Sequence, residues 1–191
     1  MPSRTSSPLA AHSAMRLAPL RFEDRDRVSA LLVATAAFSG EEVGVALELF
    51  DETVNRRPER SDGPAPVVGD YEFIGAYGDS PDELLGYACF GPTPATEGTY
   101  DLYWLAVHPA AQRRGAGRAL VQWLEQELGR RGARLLVVET SSRADYAHTR
   151  EFYARGGYAE AARVRDFYAP ADDRIILTTR LRAREVGVAT R

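Results

Sequence analysis

The chain has 191 residues, of which 45% are apolar and 27% are charged, the balance of an ordinary soluble globular domain. Its 24 basic and 27 acidic residues leave a net charge of −3, which argues against nucleic acid as a partner. No apolar run is long enough to span a membrane. We therefore expect a cytoplasmic protein that binds neither nucleic acid nor membrane.

Cysteine and histidine usage gives no sign of a metal site. The single cysteine, Cys89, lies in the apolar run 84–90 and is predicted to be a buried small hydrophobe. The three histidines, at positions 12, 108 and 148, have no partners at zinc-site spacing. We predict that the protein holds no metal.

The first part of the chain predicts a tail and then two helices. Residues 1–14 are rich in Ser, Pro and Ala and lack the apolar core of a secretory signal, so we expect a disordered tail. One hypothesis is that Met15 is the physiological start, because a strand opens directly after it. A strand at 16–20 and a helix from Glu23 follow. Ser39 and Glu42 have the spacing of a capping box, which predicts a second helix.

The middle of the chain predicts a hairpin and then a strand–loop–helix unit. Residues 56–66 form a polar, proline-rich loop, and strands at 71–77 and 84–90 are joined by a turn. A third strand covers 99–107, and Pro109 prevents its continuation. Apolar residues at helical spacing then predict a helix that begins within 112–117 and ends just before Gly132.

The last part of the chain predicts a parallel strand, a helix and a final hairpin. Residues 134–139 contain four consecutive apolar residues between Arg134 and Glu139, as in a strand buried on both faces. Asp145 is placed to cap a helix that runs to Arg155, and strands at 158–168 and 174–181 follow. We predict one domain over 15–182 and a frayed tail over 183–191.

The glycine turn at 115–117 predicts an anion site. The first N–H groups of a helix have no intrahelical acceptor, and the helix dipole adds partial positive charge there. Gly115 and Gly117 allow close approach to the backbone. The neighbouring arginines add charge, which indicates a cofactor that carries a diphosphate.

Three kinds of cofactor fit a diphosphate site. A P-loop needs a G-x-x-x-x-G-K-[ST] run, which the chain lacks. A dinucleotide fingerprint is disfavoured because Leu120 occupies its third glycine position and seven residues separate Gly115 from the strand, although Glu139 falls near the place of its ribose-binding acid. Coenzyme A is the third candidate.

The run V-H-P-A-A-Q-R-R-G-A-G-R-A-L resembles the acyl-CoA signature Q/R-x-x-G-x-G/A of the GNAT superfamily of N-acetyltransferases, with Gln112, Gly115 and Gly117 at its fixed positions. The preceding L-A-V and the later E-F-Y-A-R-G-G-Y extend the similarity over most of 15–181, nearest to the protein and peptide acetyltransferase branch. The resemblance implies an α/β fold with a mixed sheet of six to seven strands, a splayed parallel central pair and about four flanking helices.

The resemblance also implies acetyl-CoA as co-substrate and assigns the residues that bind it. Backbone groups of the strand before the loop would pair with the pantetheine arm, and the loop would hold the diphosphate. The implied cofactor-binding residues are Leu105, Ala106, Val107, Gln112, Arg113, Arg114, Gly115, Ala116, Gly117 and Arg118. His108 lies at the phosphate end, away from the acyl group, and is interpreted as structural.

Two catalytic residues are implied, each with an alternative. Tyr153 matches a family tyrosine that protonates the leaving thiolate, although it and Phe152 would also pack the helix on the sheet. Glu139 matches a glutamate that acts as base for the amine in a related branch, although a strand-end carboxylate held by N–H groups of Ser141 or Ser142 fits equally well. The family often has asparagine where this chain has Tyr146, which indicates a distinct acceptor pocket.

The sequence therefore predicts an N-acetyltransferase that transfers an acetyl group from acetyl-CoA to a primary amine by direct attack in a ternary complex. The alternative is a catalytically silent acyl-CoA-binding module. The acceptor is expected to be a small-molecule or peptide amine, and the protein a monomer or homodimer. Phe167 and Tyr168 either line the acceptor cleft or cap the sheet.

Overall fold

The computed structural model describes residues 15–54 and 71–181. The predictions for residues 1–14, for the loop 56–66 and for the tail 183–191 lie outside these ranges. The elements in chain order are β1 (Arg16–Pro19), α1 (Arg25–Thr35), α2 (Gly40–Val54), β2 (Glu72–Tyr77), β3 (Leu84–Pro92), β4 (Thr99–Val107), α3 (Ala116–Arg130), β5 (Leu135–Ser141), α4 (Ala147–Arg155), β6 (Ala159–Ala169) and β7 (Asp172–Arg180).

The strands form one seven-stranded sheet in the order β1-β2-β3-β4-β5-β7-β6. All neighbouring strands are antiparallel except β4 and β5, which are parallel. One apolar core lies between the sheet and helices α3 and α4, and the other lies between the sheet and helices α1 and α2. The predicted mixed α/β fold is confirmed. In the part of the chain that the structure describes, no helix is long and apolar enough to cross a membrane.

Helices α3 and α4 end in the same way. Gly132 adopts φ 80° after α3, where the Ala133 N–H bonds to the Leu128 carbonyl at 3.0 Å and the Gly132 N–H to the Gly129 carbonyl at 3.2 Å. This is a Schellman motif, which satisfies carbonyls that a helix end leaves free. Gly157 ends α4 with φ 87° and an equivalent pair of bonds. The predicted helix ends are confirmed.

Two predicted helix starts differ in outcome. The capping box is confirmed, because the Ser39 N–H bonds to Glu42 at 2.7 Å and the Glu42 N–H bonds to the Ser39 hydroxyl at 3.2 Å. The prediction that Asp145 caps the next helix is wrong, because α4 begins two residues later and Tyr146 occupies its N-cap position without a side-chain bond. The Asp145 carboxylate instead pairs with Arg143 at 2.7 Å.

A β-bulge in β4 opens the centre of the sheet. Cys89 of β3 pairs with Trp104 and the next residue, Phe90, pairs with Leu102, so Tyr103 is an extra residue in β4. Residues two positions apart in a regular strand lie on the same face, but the extra residue places Leu102 and Trp104 on opposite faces. Leu102 faces the α3/α4 core, whereas Trp104 packs on the α1/α2 core. The parallel pairing with β5 ends at this same point, at Leu102–Val138. Beyond it, the two strands diverge.

Candidate active site

The start of α3 is a helix terminus without a capping side chain. Gly115 holds the N-cap position with φ 92°, a left-handed conformation that suits glycine. The first intrahelical bond runs from the Ala119 N–H to the Gly115 carbonyl at 2.9 Å. The N–H groups of Ala116, Gly117 and Arg118 therefore have no acceptor within the helix, and their partial positive charge favours an anion.

Four exposed side chains surround this helix start: Gln112, Arg113, Arg114 and Arg118. Ala116 is buried, so only its backbone is available there. A Cβ built on Gly117 would lie 3.4 Å from Val107 Cγ2 and 3.7 Å from the Phe152 ring. The predicted loop residues are therefore brought together at the end of β4 and beside α4.

The diverging half of β4 has one free backbone edge. The His108 N–H bonds to the Leu85 carbonyl of β3 at 2.8 Å. Because an antiparallel strand directs its backbone groups alternately to its two sides, Ala106 opposite Tyr87 also faces β3. Leu105 and Val107 then direct their N–H and carbonyl groups to the other side, where β5 has moved away. These two residues line the gap, and Ala106 does not.

Tyr153 lies on the α3/α4 side of the gap and is 3% exposed. Its ring packs edge-on against Phe152 and Tyr158, with 5.1 Å between ring centroids in each case. Burial raises the pKa of the Tyr153 phenol, so the hydroxyl keeps its proton at neutral pH. Among the described residues, none forms a hydrogen bond with this hydroxyl. The side chain thus packs the helix and also has a free donor.

Glu139 lies on the opposite face of β5 from the buried Val138. The Tyr168 hydroxyl donates to its carboxylate, and the Arg174 guanidinium forms an ion pair with it. Burial and the neighbouring Glu139 raise the pKa of Tyr168. The Ser142 N–H, which sequence reasoning offered as a partner for Glu139, bonds instead to the Asp173 carbonyl at 2.9 Å.

The segment 165–168 brings Tyr168 to Glu139 because it bulges out of the sheet. The pairing of β6 with β7 is interrupted between Val164 and Ala169, and Asp166 adopts φ 51° within the interruption. Phe167 lies under Arg174, with 5.0 Å from Cζ to the ring centroid. Sequence reasoning missed Arg174, although its position opposite Ser141 puts it on the face of Glu139 once the strand register is known.

Tyr146 connects the loop before α4 with the turn between α1 and α2. Its hydroxyl donates to the Ala37 carbonyl at 3.3 Å. Burial and the nearby carboxylates of Glu42 and Asp145 raise its pKa. Tyr146, the residue that departs from the family pattern, therefore links the segment before α4 to the turn between α1 and α2.

His108 and Cys89 have structural surroundings, as predicted. His108 Nδ1 accepts the Ala110 N–H at 3.2 Å and so caps the turn that follows β4. Cys89 is buried, and burial raises the pKa of its thiol. Within 15–54 and 71–181, no cluster of three or more His, Cys, Asp or Glu side chains is arranged to hold a metal ion.

Comparison with known proteins places these features in one family. The family model for the acetyltransferase (GNAT) family matches residues 26–158. A solved structure from Desulfovibrio desulfuricans, assigned to GNAT acetyltransferases, is 40% identical with a TM-score of 0.78, and the match covers 88% of this chain and 99% of that chain.

Further relatives are named for two different substrates. The Escherichia coli K12 [ribosomal protein bS18]-alanine N-acetyltransferase is 37% identical over 87 residues, which are 46% of this chain and 57% of the relative. Its E. coli crystal structure has a TM-score of 0.62 at 22% identity, covering 93% of this chain and all of that one. An aminoglycoside 6′-N-acetyltransferase complexed with coenzyme A has a TM-score of 0.64 at 18% identity and covers 88% of this chain and 98% of that chain. The chain thus spans little more than half the length of the curated relative.

The sequence motif indicated an acyl-CoA-dependent acetyltransferase with a parallel strand pair that opens beside a helix start, and the structure has this strand pair and this helix start. The matched family model and the D. desulfuricans structure agree with it over most of the chain. The chain belongs to the GNAT family of acetyltransferases.

Proposed function

We propose that the protein transfers an acetyl group from acetyl-CoA to the primary amine of a peptide or protein N-terminus, by direct attack in a ternary complex. The observation that carries the proposal is the gap between β4 and β5. It has free backbone groups along one edge, an uncapped helix start at one end, and a phenol and a carboxylate on its two faces.

The residues around the gap fit an acyl-CoA thioester. The N–H groups of Ala116 to Arg118, with Arg113 and Arg114, would hold the diphosphate. Leu105 and Val107 would pair with the pantetheine arm as an added strand does. One of their N–H groups would also hold the thioester carbonyl oxygen, an oxyanion role worth about 3 kcal/mol in measured enzymes.

The two ionisable residues take opposite parts in the transfer. Glu139 takes the proton that the amine nitrogen loses as the new C–N bond forms. Tyr153 donates its hydroxyl proton to the sulfur as the C–S bond breaks. The phenol is a suitable donor because burial keeps it protonated until negative charge develops on the sulfur. The two side chains lie on opposite faces of the sheet, so acceptor and cofactor enter from opposite sides.

Support for a peptide acceptor comes from the surroundings of Glu139. The half-exposed Phe167 and Tyr168 stand beside it, and they offer an aromatic surface and a hydroxyl to an extended chain. The curated relative that matches 87 residues of this chain is an alanine N-acetyltransferase of ribosomal protein bS18. The α-amine of a protein N-terminus has a pKa of about 8, whereas the lysine side chain has a pKa of about 10.4. A weaker base is therefore sufficient to deprotonate the N-terminus at neutral pH.

The test is an acetylation assay with a matched pair of peptides. One peptide has a free N-terminal alanine and an internal lysine, and the other is identical but blocked at its N-terminus; a polyamine and an aminoglycoside complete the panel. We expect acetylation at the α-amine of the free peptide only, located by mass spectrometry. We also expect Glu139→Gln to lower kcat by about 10²-fold while it leaves coenzyme A binding unchanged.

A second candidate, a catalytically silent acyl-CoA-binding module, is favoured by the ion pair between Arg174 and Glu139. The guanidinium and the phenol already occupy the Glu139 carboxylate, so an acceptor amine reaches it only by displacing one of them. Tight binding of coenzyme A with no acetylation of any amine in the panel would establish this second function and overturn the first.

A further inference from the structure

Two side-chain polar atoms in the described structure are inaccessible to solvent and also lack any hydrogen-bond partner: Thr140 Oγ1 and Arg174 Nε. Both lie at the end of the β5–β7 pair where β4 has moved away. Thr140 is 5% exposed. A buried hydroxyl that makes no hydrogen bond lowers the stability of the fold, so a ligand bound in the gap is a suitable partner for it.

The side chain of Thr140 lies on the face of the sheet that carries Tyr153. Side chains alternate along a strand, so Thr140 shares a face with Leu136 and Val138. On β7, Thr140 pairs with Ile175. Leu136, Val138 and Ile175 all pack in the α3/α4 core with Tyr153. Glu139, next to Thr140 in sequence, points to the other face. The unpartnered hydroxyl is therefore on the cofactor side, at the sulfur end of the gap.

We propose that Thr140 Oγ1 forms a hydrogen bond with the pantetheine amide nearest the sulfur, and so fixes the depth to which the arm enters between β4 and β5. This rests on the proposed function, since it takes acyl-CoA as the occupant of the gap. The amide is the suitable partner because it lies short of the reacting carbonyl, which the Leu105–Val107 edge would hold. Thr140 thereby binds the side of the arm opposite β4.

The experiment measures ligand affinity and stability of the free protein in wild type, Thr140→Val and Thr140→Ser. The ligands are coenzyme A, acetyl-CoA and adenosine 3′,5′-bisphosphate, which lacks the arm. We expect Thr140→Val to weaken coenzyme A and acetyl-CoA equally, by about five- to tenfold, and to leave the affinity for the bisphosphate unchanged. Thr140→Ser keeps a hydroxyl and should bind coenzyme A within about twofold of wild type.

The stability of the free protein separates this role from a structural one. Because the hydroxyl lacks a partner within the described protein, Thr140→Val should have a thermal midpoint equal to or above that of wild type. A lower midpoint with unchanged coenzyme A affinity would show that the hydroxyl serves the fold, and would overturn the proposal. Failure of the wild type itself to bind coenzyme A would overturn the proposed function instead, so the two failures are distinguishable.

Discussion

Asp24 is a fully buried carboxylate that ties the start of α1 to the sheet. It accepts hydrogen bonds from the Arg21 N–H at 2.9 Å, from the Tyr77 hydroxyl at 2.7 Å and from Arg27 at 2.7 Å. Burial by itself would raise the pKa of Asp24, but the three donors outweigh it and hold the pKa below its ordinary value of 3.8. The ionised form is thus stabilised in the folded state.

We predict that Asp24→Asn lowers the free energy of unfolding by about 2 kcal/mol at pH 7, because it removes the charge that three donors surround. A depressed carboxyl pKa adds stability at pH values above the unfolded pKa, and this stability is lost as the pH falls through the folded pKa. The gap between wild type and variant should therefore stay constant from pH 7 down to about 4 and shrink below that. Urea unfolding at several pH values measures it.

The Arg25–Asp51 ion pair is a suitable control for this prediction. Both side chains are about one third exposed, so Asp51→Asn should cost less than about 1 kcal/mol. Equal losses for the two variants would contradict the role given to burial at Asp24.

We predict that Tyr153→Phe lowers kcat by about 10²-fold with little change in stability, because the ring keeps its packing and only the free hydroxyl is lost. Tyr158→Phe is the matched control, since it removes a hydroxyl that bonds to Glu125 at 2.8 Å in the same aromatic cluster. That variant should keep its kcat. Steady-state kinetics with saturating acetyl-CoA compares the two, and an unchanged kcat for Tyr153→Phe removes this residue from the proton transfer.

At the scale of single elements, α3 has a left-handed glycine at each end, and only one faces the proposed phosphates. Gly115 has φ 92° and Gly132 has φ 80°, and a Cβ on either would meet no atom within 4 Å. We predict that Gly115→Ala and Gly132→Ala each cost about 1–2 kcal/mol of stability through backbone strain alone. Only Gly115→Ala should weaken coenzyme A binding, by roughly tenfold or more.

Calorimetric titration with coenzyme A, alongside thermal unfolding, checks the pair. If both alanine variants bind coenzyme A as wild type does, the phosphate group does not lie on the backbone of the helix start. The shared strain makes the two variants comparable, and any difference in affinity then reports position along the helix.

Local sequence signals predicted the ends of helices correctly where one residue, or one pair of nearby residues, determines the end. Gly132 and the Ser39–Glu42 capping box marked helix ends correctly, because each acts through bonds to its own neighbours. Asp145 failed as a cap because a nearer cation, Arg143, engages its carboxylate. The run 134–139 was predicted to be buried on both faces, but Glu139 is exposed, on the face opposite the buried Val138.

The sequence did not predict which residues of distant strands pair with each other. Nothing in residues 99–107 marks Tyr103 as an extra residue, because a bulge is defined by the count on the partner strand. The contacts of Glu139 with Tyr168 and Arg174 depend on an interruption in the β6–β7 register, which no local pattern reports. The sequence brought the residues of the helix start together because one segment contains them all. On the proposed acceptor side it offered Glu139, Phe167 and Tyr168 but not their contacts, because several distant segments meet there.

At the scale of the whole molecule, the sheet would separate the two halves of the proposed reaction. The α3/α4 face carries Tyr153 and Thr140 beside the helix start, whereas the α1/α2 face carries Glu139 with Tyr168 and Arg174. The gap between β4 and β5 is the opening that connects the two faces of the sheet. Substitutions on one face should change the kinetic constants of one substrate more than those of the other.

We predict that coenzyme A slows amide hydrogen exchange in peptides that cover Leu105 and Val107 by at least about tenfold, because their N–H groups gain a partner in the gap. Peptides that cover the β2–β3 hairpin already have ladder bonds and should change much less. Exchange followed by mass spectrometry, with and without saturating coenzyme A, measures both. Protection confined to residues 112–118 would place the arm outside the gap.

The inserted residue at position 103 also determines what a shorter strand would do. Deletion of Tyr103 would join Leu102 directly to Trp104, and these two residues would stay on opposite faces of the sheet, as adjacent strand residues do. The later part of β4 would return to an uninterrupted ladder and give β5 an aligned neighbour along its length. Such a chain would keep its helices and the glycine turn before α3. Its sheet would be continuous, without the gap between β4 and β5 that is proposed to receive the thioester. One inserted residue in a strand thus decides whether the sheet has the gap on which the proposed transfer depends.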